Sequence, residues 1–279
     1  MEIIYTKSAL AEKRNELKEK SLQIGFVPTM GALHKGHLQL IKQARKENDI
    51  VVCSIFVNPI QFNNQTDLER YPRNPENDIE LLNPYCDVLF MPSVQEMYPN
   101  PPNETYHFGT LETVMEGHFR PGHFNGVAVV VKRLFDIIQP DTAYFGKKDF
   151  QQLTIIRKLT ADYNLKIKIQ AVDTVREDDG LAMSSRNSLL SPQARNVAPF
   201  IWQTLQQAKS LKKEKSPPEI KKWVEDQFNK NKFFTLEYAQ LVNAETLEEV
   251  TQYNQAENSV LCVAVWLDNV RLIDNINIV

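Results

Sequence analysis

Residues 27–40 read VPTMGALHKGHLQL, two histidines three apart between a short apolar run and an amphipathic one, with Gly31 and Gly36 close by. Upstream, LQIGFVPT (22–29) has the continuous apolar character of a buried strand. Downstream, GHLQLIKQARKEN (36–48) repeats apolar residues at helical spacing and keeps its charges on the other face. A strand, a glycine-bearing loop and a helix therefore follow one another, and the histidines sit at the join.

The same alternation continues outward. DIVVCSIFVN (49–58) reads as a second strand, NPENDIELLNPY (74–85) as a capped helix and CDVLFMP (86–92) as a third strand. FNGVAVVVKRLFDIIQ (124–139) is a helix that ends before Pro140. TAYFGKKD (142–149) is a strand entering a loop, DFQQLTIIRKLTADYN (149–164) a helix and KIKIQAVDT (166–174) another strand. Strands alternating with helices of this length predict an α/β fold, a doubly wound Rossmann-like parallel sheet with ligands beyond the carboxyl ends of its strands. Past residue 176 the pattern changes. Helices are expected over 191–211 and 216–231, and strands over 234–244 and 259–279, the last run turning at Asp268–Asn269. The reading is two domains, 1–176 Rossmann-like and 177–279 a smaller C-terminal α+β domain covering the site.

At 279 residues the chain can bury a sizeable core, and 42% hydrophobic with 24% charged residues is a globular balance. A formal net charge of −3 supplies no global field for nucleic acid or a membrane, so any bound anion must be held by local groups. The longest apolar runs fall well short of the ~20 residues of a membrane-spanning helix, and the N-terminus lacks a basic-then-apolar signal region. A cytoplasmic protein is expected. Cys53, Cys86 and Cys262 are widely spaced and odd in number, and read as buried reduced thiols.

A helix beginning near Gly36 offers unsatisfied N–H groups and the positive end of its dipole, a suitable place for phosphate. His34 and His37 flank that place, each able to donate to a phosphoryl oxygen, and a nearby phosphate would favour the cationic ring. The plain alternative is a helix cap and a packed histidine. GALHKGHL has the glycine spacing of a P-loop with His37 in place of its lysine, and no G-x-G-x-x-G occurs. Two more strand ends carry anion-binding compositions: Lys147, Lys148 and Asp149 in one, Ser184, Ser185 and Arg186 in the other. A competing reading makes His34, His37, His118 and His123 zinc ligands, although no H-E-x-x-H motif supports it.

Six separated stretches, PTMGALHKGHL, SIFVNPIQF, YPRNPENDIE, EGHFRPGHFNGV, FGKKDFQQL and REDDGLAMSSRN, resemble in order the motif series of the pantothenate synthetase (pantoate–beta-alanine ligase) family, across residues 24–190. HKGH and MSSRN also resemble the HIGH-like and KMSKS-type signatures of the nucleotidyltransferase superfamily. The resemblance implies condensation of pantoate with beta-alanine through a pantoyl adenylate, with ATP as co-substrate and Mg²⁺, by a cytoplasmic homodimer. It places Met30, Gly31, Ala32, Leu33, His34, Lys35, Gly36, His37, Gly146, Lys147, Lys148, Asp149, Val175, Met183, Ser184, Ser185 and Arg186 along ATP. The family's usual proton-donor assignment falls on His37. Gln61 and Gln152 match the pantoate binders, Gln61 also touching beta-alanine, with Asn58 assisting. His34, His37, Lys148, Ser184, Ser185 and Arg186 form the expected catalytic set, because charge develops on phosphoryl oxygens and these side chains donate to them. Arg120 and His123 are expected to order a loop over the site. Asp78 reads as a helix-start acid, with a water-mediated contact to magnesium as its other candidate role. Lys147 departs from the family, which commonly has an acidic residue there. The C-terminal third resembles it only loosely.

Overall fold

The computed structural model describes residues 1–279. Six parallel strands form the main sheet: β1 (Glu2–Ile4), β2 (Ile24–Thr29), β3 (Ile50–Ile55), β4 (Val88–Phe90), β5 (Thr142–Gly146) and β6 (Lys168–Val172). Their order is β1-β4-β3-β2-β5-β6. Successive strands β2, β3 and β4 step toward one edge, then the chain crosses over and lays β5 and β6 on the other side of β2. The direction reverses between β2 and β5, which pair directly through Gly25–Thr142 and Phe26–Ala143. In doubly wound sheets a crevice opens beyond the carboxyl ends at such a switch point. The loops that leave β2 and β5 carry the histidines and Lys148.

Helices cover both faces. The helix Lys35–Glu47 turns Leu40, Ile41 and Ala44 onto one face. On the other, His123–Ile138 buries nearly its whole length, from Phe124 to Ile138. A chain that packs an element on all sides needs apolar residues all round it, and VAVVV supplies them. The parallel sheet expected from the sequence is present, with elements the sequence reading did not include: the edge strand β1, the helix Lys7–Glu19 and the short helices Gln65–Arg70, Val94–Met97 and Met115–Phe119. Only Leu10 and Leu17 of the helix Lys7–Glu19 are buried, so its periodic signal is thin.

The C-terminal sheet is antiparallel, β7 (Phe234–Asn243), β8 (Ser259–Leu267) and β9 (Val270–Asn277). Asp268 and Asn269, with φ of 52° and 60°, make the two-residue turn between β8 and β9. Positive φ at both central positions suits the right-handed twist of a hairpin, and Asp and Asn tolerate it. The single helix expected over 191–211 is instead two, Pro192–Val197 and Phe200–Ser210, broken at Pro199. A proline ring has no N–H to offer the preceding turn. One face of this sheet packs with those helices and Pro217–Lys230; the other contributes Tyr238, Val242, Val260, Cys262 and Ala264 to the core beneath the main sheet.

Candidate active site

The histidine turn is built by a reciprocal cap. His34 is the N-cap of Lys35–Glu47; its Nδ1 accepts from the Gly36 N–H at 3.1 Å, and His37 Nδ1 accepts from the His34 N–H at 3.3 Å. Both Nδ1 atoms are thereby acceptors, so each neutral ring carries its proton on Nε2. The rings lie 4.1 Å apart, centre to centre. Burial, with Lys148 nearby, lowers His34 to about 4; burial, then His34 and Lys148, lowers His37 to about 3. Burial and the neighbouring cation thus favour the neutral rings here, the opposite direction to the push a phosphate would give. The cap and the ligand-facing reading, posed as alternatives from the sequence, use different atoms of the same rings.

Asp78 holds the loop before them. Its Oδ2 accepts from the Ala32 N–H at 2.9 Å and its Oδ1 from the Leu33 N–H at 2.7 Å, and the residue is 1% exposed. Both oxygens are engaged with backbone, and the carboxylate clamps the turn where Gly31 and Ala32 take positive φ. Asp78 stands in the first turn of Pro75–Leu82, as its helix-start reading has it.

A cavity of about 210 Å³ opens at the switch point. It is lined by Met30, His34, Gly36, His37, Gly146, Lys148, Asp149, Val175, Met183 and Ser184 to Arg186 from the nucleotide set, and by Asn58, Gln61 and Gln152 from the acid-binding set. Gly31, Ala32, Leu33, Lys35 and Lys147 stand off its wall; Lys147 pairs instead with Asp173 at 2.6 Å. Lys148 Nζ lies 3.7 Å from Asp149. The backbone of that loop is gripped from the C-terminal sheet, where Asn275 Nδ2 donates to the carbonyls of Lys147 and Lys148, each at 2.9 Å.

Ser184 caps a short 3₁₀ turn, its Oγ accepting from the Arg186 N–H at 3.3 Å. Arg186 Nη2 donates to both oxygens of Asp67, at 3.1 and 3.3 Å, and the guanidinium lies over the Tyr71 ring. In FGKKDFQQL the two glutamines divide: Gln151 is committed to the Glu116 N–H and to the carbonyls of Leu111 and Val114, whereas Gln152 faces the cavity.

A larger cavity of about 590 Å³ adjoins the first, sharing Lys148, Asp149, Gln152, Ser184 and Arg186 with it. Arg120 and His123 line it. His123 Nδ1 donates to the Gln61 carbonyl at 2.8 Å and its Nε2 faces Arg120 at 3.4 Å, so the two brace the Gln61 loop. His123 is held at about 4, chiefly by burial. With His123 so engaged, no group of three or more His, Cys, Asp or Glu is placed to hold a metal ion, which removes the four-histidine zinc reading.

Sequence reasoning missed the far wall. Arg271 in β9 places its fork on Glu116 with two bonds of 2.7 Å and on Glu237 at 2.8 Å, while Tyr238 donates to Glu116 at 2.8 Å. Arg176 pairs with Asp274 at 2.7 and 3.0 Å. The available signal was a charge inside an alternating strand, VRLIDNIN, where Asp274 is 3% exposed.

Comparison with known proteins bears on this geometry. The family model for pantoate-beta-alanine ligase matches residues 2–277. A pantothenate synthetase of Azobacteroides pseudotrichonymphae is 48% identical over 278 residues, covering 99% of each chain, and one of Cytophaga hutchinsonii is 47% identical over 267 residues, 95% of this chain and 94% of its own. The crystal structure of the pantothenate synthetase from Thermus thermophilus superposes with a TM-score of 0.93 at 40% identity, over 100% of this chain and 99% of its own. A pantoate-beta-alanine ligase from Francisella tularensis, crystallised with beta-gamma ATP and beta-alanine, gives 0.84 at 36% identity, over 99% and 97%.

Proposed function

The chain belongs to the pantoate-beta-alanine ligase family, and from that premise we propose how its site makes pantothenate from pantoate and beta-alanine at the expense of ATP. The single observation that carries the proposal is the gathering of His34, His37, Lys148 and Ser184 to Arg186 around one cavity at the sheet's switch point, with Gln61 and Gln152 on its wall. Donors to phosphoryl oxygens and amides suited to a hydroxy acid belong together where a carboxylate is to meet a nucleotide.

A carboxylate resists attack by an amine because its leaving group would be an oxide ion. In the proposed first step a carboxylate oxygen of pantoate, held by Gln61 and Gln152, attacks the α-phosphorus of ATP, and the bond to the β-phosphate oxygen breaks to release pyrophosphate. In the second step the beta-alanine amine attacks the acyl carbon, AMP leaves, and the amine loses a proton. Negative charge builds on phosphoryl oxygens in the first step. The Nε2–H groups of the two neutral histidines, the Lys148 ammonium, the serine hydroxyls and Arg186 meet it; one such donor is commonly worth about 10²–10³ in rate. His37 serves as a hydrogen-bond donor without having to be an imidazolium. Magnesium fits this site as a companion of the ATP phosphates, since Asp78 is engaged with backbone and Mg²⁺ commonly binds through substrate phosphates, water and one or two carboxylates. It would supply charge neutralisation of the leaving pyrophosphate. The division into residues 1–176 and a covering domain 177–279 is part of the same reading, supported by Asn275 and Arg271 reaching from the C-terminal sheet. A cytoplasmic homodimer follows from the family resemblance.

Pantoate labelled with ¹⁸O in its carboxylate tests the route. One labelled oxygen should appear in AMP, and formation of AMP should need all three substrates. Label in inorganic phosphate, with ADP as co-product, would establish an acyl phosphate and remove the roles given to the histidines.

A further inference from the structure

The amide of Gln61 has its polarity set from behind, by a chain of hydrogen bonds that starts at a backbone carbonyl. The Gly126 carbonyl can only accept, so the Asn58 atom 3.1 Å from it is Nδ2. That bond is one of two that hold the Asn58 amide in this sense, the other coming from Tyr98. The amide Oδ1 then faces Tyr98, whose hydroxyl donates at 2.8 Å, and its second N–H faces Gln61 at 3.0 Å. The Gln61 atom at that point must accept, so it is Oε1. Its Nε2 is left on the opposite side, 3.1 Å from the sulfur of Met30, which lines the smaller cavity. Asn58 and Gln61 are both buried, 1% and 7% exposed, so neither can relieve a wrong orientation by turning to bulk water.

The geometry points to Tyr98 as a positioning residue which, through Asn58, turns the Gln61 amide N–H-first toward the acid substrate. The consequence is selectivity of a stated kind: the wall offers a donor, and an oxygen acceptor of the hydroxy acid satisfies it. This rests on Gln61 binding that acid, as proposed above. Tyr98 itself does not line either cavity, and its ring is otherwise occupied by Phe56 at 5.8 Å and the Arg133 guanidinium at 4.8 Å. Tyr98→Phe keeps those contacts and removes only the hydroxyl. It leaves Asn58 Oδ1 buried without its donor, which lowers the cost of the flipped amides.

Steady-state kinetics with each substrate varied in turn, on Tyr98→Phe, Gln61→Ala and the double variant, test the relay. Tyr98→Phe should raise KM for pantoate about 5-fold while KM for ATP and kcat stay within about 2-fold. On the Gln61→Ala background the same change should add almost nothing, because the group being oriented is gone. Effects of the two substitutions that multiply, or a Tyr98→Phe variant with unchanged pantoate KM, would overturn the relay, as would a uniform rise in all three KM values. A silent Gln61→Ala variant would overturn the relay along with the assignment of Gln61; in that case the reference substitution itself fails, which separates the two failures. Should Tyr98→Phe not accumulate as folded protein, Asn58→Asp supplies the same cycle. With no N–H to give, it forces Gln61 to present Oε1 to the acid, and pantoate KM should rise about 10-fold or more; an unchanged value counts against the relay.

Discussion

At the histidine pair itself, the two capping contacts span two or three residues: Gly36 to His34, His34 to His37. At the Gln61 loop the supporting partners come from far along the chain, Met30 at a separation of 31, Tyr98 and Asn58 at 40, His123 at 62 and Gly126 with Asn58 at 68. Both face one cavity. The turn is shaped by its own helix start, whereas the loop takes its form only after a helix from later in the chain has packed against it. Damage to the turn should therefore remain chemical and local, while the loop should respond to substitutions well away from any substrate.

The largest expected effect is at the turn. His34→Ala and His37→Ala should each lower turnover by about 10²-fold or more, with pantoate KM nearly unchanged and the fold kept by circular dichroism. A pantoate KM that climbs as steeply as turnover falls would show that the two regions are one unit. The loop can be broken from Gly126. A Cβ there would stand 2.6 Å from the Ile60 carbonyl oxygen and 2.8 Å from Gln61 Cα, both backbone atoms that cannot swing aside. Gly126→Ala should raise pantoate KM about 10-fold and cost about 1–3 kcal/mol in a denaturant titration, despite alanine's better helix propensity, with ATP affinity kept. Retained pantoate KM would mean the loop adjusts freely and the contrast with the turn is overstated.

Asp78 is a long-range prop of the glycine loop, so it sharpens the comparison. Asp78→Asn keeps the shape but turns one of its two acceptors into a donor facing a backbone N–H, and should cost about 2–3 kcal/mol with a rise of a few fold in KM for ATP. The magnesium dependence of the rate should keep its midpoint; a displaced midpoint would restore the metal contact. The smallest effect is in pH. His34 and His37 titrate at about 4 and about 3 in the folded protein, below the ordinary 6.5. Between those values the unfolded chain binds more protons, so the stability they contribute is fully present above about 6.5 and is lost as pH falls toward their folded values. His34→Asn, which can still cap, should flatten the fall in melting temperature measured from pH 7 to pH 4.5. An unaltered slope would place the acid sensitivity elsewhere.

The legible parts of this molecule were those whose signals are short. Lys148, Ser184 and Arg186 were readable because strand ends are marked by glycine, charge and hydroxyl residues, and the fold brings strand ends together. Arg271, Asp274 and Asn275 were not, although they brace the same loops, because a charge in a strand carries no record of which sheet it will meet. Gln151 and Gln152 are adjacent and identical in type, and only the bonds that Leu111, Val114 and Glu116 make to the Gln151 amide tell it from Gln152.

By itself the sequence determined the alternating strands and helices, hence the parallel sheet, and the self-capped histidine turn, because hydrophobic period and helix-start chemistry act over a few residues. It carried the six motif stretches too. The tertiary structure alone decided the lowering of the histidine pKa values by burial, the clamp role of Asp78, the pairing of Arg186 with Asp67 and the direction in which Gln61 points its amide. Each of these depends on desolvation or on a partner dozens of residues away, and both come into being only when the chain closes on itself.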